Sequence, residues 1–234
     1  MLSPSETARN ARYATPALRQ RDLQGRALVR CALSLHAPLA PKDWEFSQSE
    51  LGKPAIASRH GDLTHWQFNL SDSENVAVMA ICKNRAVGVD VELSPVADEL
   101  LDSSLIFSLH ERESLQKLPL TERRARFLDH WTIKEAYLKA CGLGMSVPLD
   151  TIAPNFEESG RIRFPEAAHD QSPDTAWTFL QFDTGGYGIV SICLEGVVPP
   201  ITDLALFIPL RSPPRRLNWR LLRTSNSEAS TDTE

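Results

Sequence analysis

Between residues 87 and 93, the aliphatic side chains Val87, Val89, Val91 and Leu93 alternate with Gly88, Asp90 and Glu92. An extended strand has a side-chain period of two, so the four aliphatics share one face and the two acids share the other. The segment therefore demands a sheet with one apolar face to bury and one face that carries paired carboxylates. Two neighbouring carboxylates repel by roughly 1–4 kcal/mol, according to the local dielectric. They must face water, shift their pKa or hold a cation, and the alternation alone does not choose.

The surrounding pattern is mixed. Residues 76–82 (VAVMAIC) are almost wholly apolar and predict a buried strand. Lys83, Asn84 and Arg85 read as a turn joining it to the 86–93 strand in an antiparallel hairpin. A short strand is expected at 66–70 and helices at 17–34 and 103–118. The clearest helix spans 121–141, with Thr121 as N-cap, Glu122 in the first turn and Gly142 after the last. A late hairpin is expected from 175–182 and 187–195, turning at Gly185 and Gly186. Residues 68–82 (FNLSDSENVAVMAIC) and 182–193 (FDTGGYGIVSIC) echo one another: an aromatic, a polar turn, then an apolar strand ending in cysteine. The echo implies an α+β fold of two similar halves, 1–100 and 101–208, with a site between them. From 209 onward the Pro/Arg-rich, then Ser/Thr-rich stretch reads as a flexible tail.

On the 121–141 helix, Glu135 shares a face with Leu128, Trp131, Leu138 and Lys139, whereas Asp129 and Lys134 point elsewhere. A carboxylate among Trp and Leu needs a partner. Either Lys139, one turn on, pairs with it, or Glu135 joins Asp90 and Glu92 around one divalent metal. Three carboxylates with waters suit a hard cation such as Mg2+, which binds substrate phosphate. The turn LGKP at 51–54 and the segment FNLSDS at 68–73 offer a lysine and hydroxyls to a phosphate ligand. Neither is a Walker A motif or a dinucleotide fingerprint.

Composition narrows the function classes. At 234 residues the chain supports one large domain or two small ones. A net charge of -5 argues against a general nucleic-acid affinity. The arginines are nevertheless clustered, at 9, 12, 19, 21, 26 and 30 and again at 211, 215, 216, 220 and 223, and they point to a local anionic ligand or partner. No apolar run reaches membrane-spanning length, and the polar start with Glu6 does not read as a signal peptide, so the cytoplasm is expected. Cys31, Cys82, Cys141 and Cys193 are scattered without a CxxC and read as reduced thiols.

Taken together, LGKP, FNLSDS, GVDVE at 88–92, FSLHE at 107–111 and WTIKEAYLKACGLG at 131–144 resemble the Sfp-type class of 4′-phosphopantetheinyl transferases. The resemblance implies two halves related by a pseudo-two-fold, with coenzyme A in the cleft between them and an apo acyl- or peptidyl-carrier protein as partner of a monomer. It implies Mg2+ on Asp90, Glu92 and Glu135, and Lys139 at the pyrophosphate. Lys53 and Pro54 of the GKP turn would lie beside the nucleotide and Ser71 beside the phosphates. Arg30 would bind the 3′-phosphate, with Arg12 as a further basic contact. Glu135 would also serve as base for the carrier serine. Arg123, Arg124 and Arg126 at the start of the helix are candidates for receiving an acidic carrier.

One position departs from the pattern. The family loop reads serine-histidine-serine, and Asp72 stands at the histidine. An acid beside a phosphate repels it unless other groups compensate, for which Arg30 and its neighbours are the candidates; weaker coenzyme A binding than with histidine is expected. A catalytically impaired binding homologue and a metal-dependent nucleotide phosphohydrolase are the alternative readings.

Overall fold

The computed structural model describes residues 2–93, 97–157, 159–163, 176–185, 188–197, 205–206, 215–216 and 219–225. The first helix, α1 (Pro4–Ala11), opens on a capping box: the Ser3 hydroxyl accepts from the Glu6 amide, and the Glu6 carboxylate accepts from the Ser3 amide. No residue of α1 is buried. It is held on α2 (Pro16–His36) by Glu6 with Arg26 and Arg30 and by Asn10 with Asp22. Two antiparallel pairs follow, β1 (Phe46–Gln48) with β2 (Pro54–Ile56) and β3 (Trp66–Ser73) with β4 (Val76–Lys83). Next come β5 (Val87–Glu92), α3 (Leu109–Gln116) and α4 (Leu120–Cys141). The short pair β6 (Asn155–Phe156) and β7 (Ile162–Arg163) precedes the hairpin β8 (Trp177–Asp183) and β9 (Ile189–Glu195). The pair β10 (Ala205–Leu206) and β11 (Arg215–Arg216) and the strand β12 (Arg220–Thr224) complete the described elements.

The mixture of helix and sheet is the expected α+β class, but the pairing of β5 differs from the sequence reading. β5 does not pair with β4. It is the edge of a four-stranded sheet ordered β12-β8-β9-β5, and β4 pairs with β3. The reason lies in the valine face. Val87, Val89 and Val91 pack with Leu180, Val190 and Ile192, and Val76, Val78 and Ala80 of β4 pack against that cluster. In the β3–β4 hairpin, β4 thus packs on the valine face, while β3 runs beside the free edge of β5 without a backbone ladder. β4 is only half-buried, against the expectation of a fully buried strand. Side-chain periodicity reports which face is apolar and says nothing about which strand supplies the edge partner.

Two further expectations need correction. Residues 220–224, assigned to a flexible tail, form β12 on the free edge of β8. Arg223 fixes the strand by pairing with the buried Asp129 of α4 at 3.0 Å, so the Arg-rich composition conceals an edge strand with an internal anchor. The tail's remaining residues beyond 225, and Thr175, Gly186 and Tyr187 of the late hairpin, lie outside the described residues. The division at residue 100 is crossed by the main sheet, because β5 pairs along its length with β9.

The 121–141 helix is present one residue longer, with Gly142 at φ 71° as its left-handed cap and Pro119, not Thr121, at its start. It is buried almost all round. Lys134 and Asp129, expected off the buried face, are 0% and 6% exposed. Lys134 survives there because its ammonium donates to Glu111 Oε2 at 2.9 Å and to the carbonyls of Ile106 and Leu149. Burial alone would raise the Glu111 pKa; His130 and Lys134 more than offset it and hold the carboxyl below its usual range. Glu111→Ala is expected to cost about 3–5 kcal/mol, because it strands a buried ammonium. Urea unfolding measures this, and a loss under 1 kcal/mol would mean that Lys134 finds another counter-charge. Among the described residues no helix is long and apolar enough to cross a membrane.

Candidate active site

Gly88 allows the site to form. β5 passes so close to α4 that a Cβ on Gly88 would stand 2.0 Å from the Ala136 carbonyl oxygen and 2.4 Å from the Ala140 amide nitrogen. The same face of β5 then presents Asp90 and Glu92 toward the side of α4 that carries Glu135 and Lys139. On the other edge of β5, the side chains of β3 take over the role of a pairing strand. Asn69 Oδ1 accepts from the Val89 amide at 2.8 Å, and Ser71 Oγ accepts from the Val91 amide at 3.4 Å.

Asp90 is 3% exposed. Its Oδ1 accepts from Lys139 Nζ at 2.5 Å and from Ser71 Oγ at 2.8 Å. Its Oδ2 is buried and has no hydrogen-bond partner. Lys139 Nζ also donates to Ser71 Oγ at 3.0 Å, closing a three-membered polar ring. Two residues along, Ser73 Oγ donates to Glu92 Oε2 at 2.8 Å. Burial pushes the Asp90 carboxyl above its usual range; Lys139 and Ser71 offset part of the shift, and the charge of Glu92 adds to it. Glu135 is likewise raised, by burial first and then by the like charges of Asp90 and Glu92, with Lys139 in opposition. The three acids therefore lie in one another's field around a single ammonium. Among the described residues no group of three or more His, Cys, Asp or Glu side chains is arranged as a ready metal cage.

The other expected ligand residues disperse. Arg30 is 2% exposed, donating to the Trp44 carbonyl at 2.7 Å and to Glu6 at 2.5 Å, with its guanidinium over the Phe46 ring. Its guanidinium is thus engaged inside the fold, between α1, α2 and β1. Lys53 is also engaged within the fold. Its ammonium donates to the carbonyls of Ala140 at 2.6 Å and Val87 at 3.3 Å, stitching the end of α4 to β5, and burial lowers its pKa. Arg12 is the exposed C-cap of α1.

Pro54 and Asp72 line a cavity of about 1100 Å3 walled by α1, α2 and the strands β1 to β4. None of Asp90, Glu92, Glu135 and Lys139 is among its lining residues. Asp72 is held by Arg21, whose Nη2 donates to its carbonyl at 2.7 Å and whose Nε donates to its carboxylate. Compensation for the acid at 72 thus comes from Arg21, a neighbour of Arg30 on α2. Arg9, Arg21 and Arg26 all line the cavity and were absent from the sequence-derived site. Their only signal was membership of the N-terminal arginine cluster.

The model of the 4′-phosphopantetheinyl transferase superfamily matches residues 86–193, a span that contains all three acids and Lys139. The 4′-phosphopantetheinyl transferase HetI of Nostoc sp. (strain PCC 7120) is 36% identical over 196 residues, covering 83% of this chain and 79% of that protein. The chain belongs to the 4′-phosphopantetheinyl transferase family. It is an enzyme of the group-transfer class, and the group moved is 4′-phosphopantetheine. This transferase is also 30% identical to 4′-phosphopantetheinyl transferase Sfp of Bacillus subtilis (strain 168) over 162 residues, 69% of either chain. A solved ACPS–CoA complex of Chronobacterium ammoniagenes, 20% identical, covers 49% of the transferase and 98% of its own chain with a TM-score of 0.38.

Proposed function

We propose that the enzyme moves the 4′-phosphopantetheine group of coenzyme A onto a serine of an apo acyl- or peptidyl-carrier protein, releasing adenosine 3′,5′-bisphosphate. One observation carries the local chemistry: Asp90 is buried with one oxygen on Lys139 and the other without a partner, in the field of Glu92 and Glu135. Three carboxylates against one ammonium leave an excess of negative charge that a hard, oxygen-seeking cation offsets. The donor set fits Mg2+, which Asp90, Glu92 and Glu135 would hold. Bound there, it supplies charge neutralisation at phosphate oxygens.

The chain's own groups account for the rest. Lys139, 28% exposed and braced by Ser71 and Asp90, offers a second positive charge to the pyrophosphate. The carrier serine oxygen attacks the phosphorus bearing the pantetheine arm, and the bond from that phosphorus to the bridging oxygen breaks. Glu135, whose burial raises its proton affinity, accepts the serine proton. The cavity beside β3, with Arg9 and Arg21 in its wall, is assigned to the adenosine end of coenzyme A. Both centres are built within one chain, which supports a monomer.

The test is direct. Apo carrier incubated with the enzyme, coenzyme A and Mg2+ is expected to gain the mass of one phosphopantetheine group. An unmodified carrier, with or without nucleotide hydrolysis, would overturn the proposal. Asp90→Ala is expected to shift the Mg2+ dependence of transfer upward by about 10-fold or more. An unaltered Mg2+ titration would remove Asp90 from the metal set.

A further inference from the structure

Strand β3 separates the two centres by side-chain parity. Asn69, Ser71 and Ser73 face β5, where they bond Val89, Asp90 and Glu92. Phe68, Leu70 and Asp72 alternate with them and line the cavity, to which Asn69 also contributes, whereas Ser71 and Ser73 do not. Asp72 therefore stands in the cavity wall, next in sequence to the two serines that bond the acids. Its partner Arg21 comes from α2, 51 residues away.

The charges lining the cavity are unequally engaged. Arg26 is consumed internally: Nε donates to both oxygens of Asp22 at 3.0 Å, and Nη1 donates to Glu6 at 2.8 Å. Arg21 gives only Nε and one Nη2 hydrogen to Asp72. A guanidinium has five N–H groups in a rigid plane, so three remain, and among the described residues they meet no partner. One edge of the plane is clamped and the other is left for an anion. Arg21 is 41% exposed and Asp72 39%. Without the clamp, a long exposed side chain samples many rotamers, and fixing one in advance strengthens the contact that it later makes.

We propose that Asp72 is a positioning residue that fixes Arg21 in the cavity wall, so that Arg21 meets a phosphate of coenzyme A and Asp72 touches no ligand atom. This rests on the coenzyme A reading above. It also reverses the sign expected from sequence. If Asp72 acted as a bare negative charge, removing it would tighten coenzyme A; as the clamp of Arg21, removing it loosens coenzyme A.

Calorimetric titration of the full chain with coenzyme A separates the two. Asp72→Ala and Asp72→Asn are each expected to weaken binding about tenfold, the scale of one charge-assisted contact, with the melting temperature retained. Asp72→Glu, which keeps the carboxylate, is expected to recover part of the loss. Arg21→Ala is expected to weaken binding about as much, and Asp72→Ala with Arg21→Ala to be no weaker than Arg21→Ala alone. Equal or tighter binding by Asp72→Ala and Asp72→Asn, or additive losses in the double variant, would overturn this inference while the transferase proposal stands. A wild-type chain that binds no coenzyme A overturns both.

Discussion

Glu135→Gln is expected to lower phosphopantetheinyl transfer by about 10^3-fold and, at the same time, to raise the melting temperature of the metal-free protein. The loss follows from the two duties assigned to the carboxylate, proton acceptor and metal ligand. A positioned general base contributes about 10^2–10^4-fold, and the amide supplies neither a basic site nor a full ligand charge. The gain follows from electrostatics: Glu135 is raised by burial and by the like charges of Asp90 and Glu92, with Lys139 only partly compensating. A carboxyl whose folded pKa exceeds its unfolded value costs stability once pH rises through the folded value. Glutamine carries no such cost. The difference in melting temperature between variant and wild type is therefore expected to vanish in acid, below the usual carboxylate range, to open as pH climbs from that range through the raised value, and to stay constant above it. The gain is on the order of 1 kcal/mol for a half-buried group. Single-turnover transfer followed by carrier mass, and thermal melts in chelator at several pH values, read the two effects separately. Near-normal turnover would remove Glu135 from the chemistry. A pH-independent difference in melting temperature would remove it from the shared field of acids.

Gly88→Ala is expected to be among the most damaging conservative changes in the described residues, with a stability loss of about 3 kcal/mol or more and a collapse of transfer. The added methyl would meet Ala136 O at 2.0 Å and Ala140 N at 2.4 Å. Both are backbone atoms of one helix, so no rotamer change relieves the clash, and α4 must move off β5. Overpacking in a close-packed core costs about 1–3 kcal/mol even where side chains yield. Here the displacement would also pull Glu135 and Lys139 away from Asp90 and Glu92. Gly25→Ala makes the contrast: its Cβ would approach only the tip of Leu70, at 3.0 Å, and a helix interior favours alanine over glycine by about 1 kcal/mol. Denaturant unfolding of the two variants gives the comparison. A Gly88→Ala protein as stable as wild type would mean that the close approach of strand and helix is not required.

What the sequence made legible was local. The 121–141 helix emerged because its breakers and caps are adjacent to it, and the two faces of β5 emerged because a strand's parity is written in consecutive residues. The pairing of β5 with β9 was illegible, since both β4 and β9 are apolar enough to serve. Lys134 on a fully buried face was illegible for a related reason: its counter-charge, Glu111, sits 23 residues away on another helix. The acids and Lys139 were named from motifs, and the structure brings Lys139 onto Asp90. Arg30 and Lys53 were placed at the ligand by motif resemblance, and the structure shows each bonding backbone carbonyls, Arg30 also an internal acid. Charge type is visible in a sequence; whether a charge is already satisfied is a property of three dimensions.

The two-sidedness of β3 has an evolutionary consequence. Ser71 and Ser73 answer to the carboxylates of β5, Asn69 bonds the Val89 amide and also reaches the cavity, and residues 68, 70 and 72 line the cavity. A substitution at an even position changes the ligand wall and leaves the acid-bonding serines where they are. Donor preference can drift in a lineage by single-residue steps while the reactive machinery on the reverse of the same ribbon stays untouched.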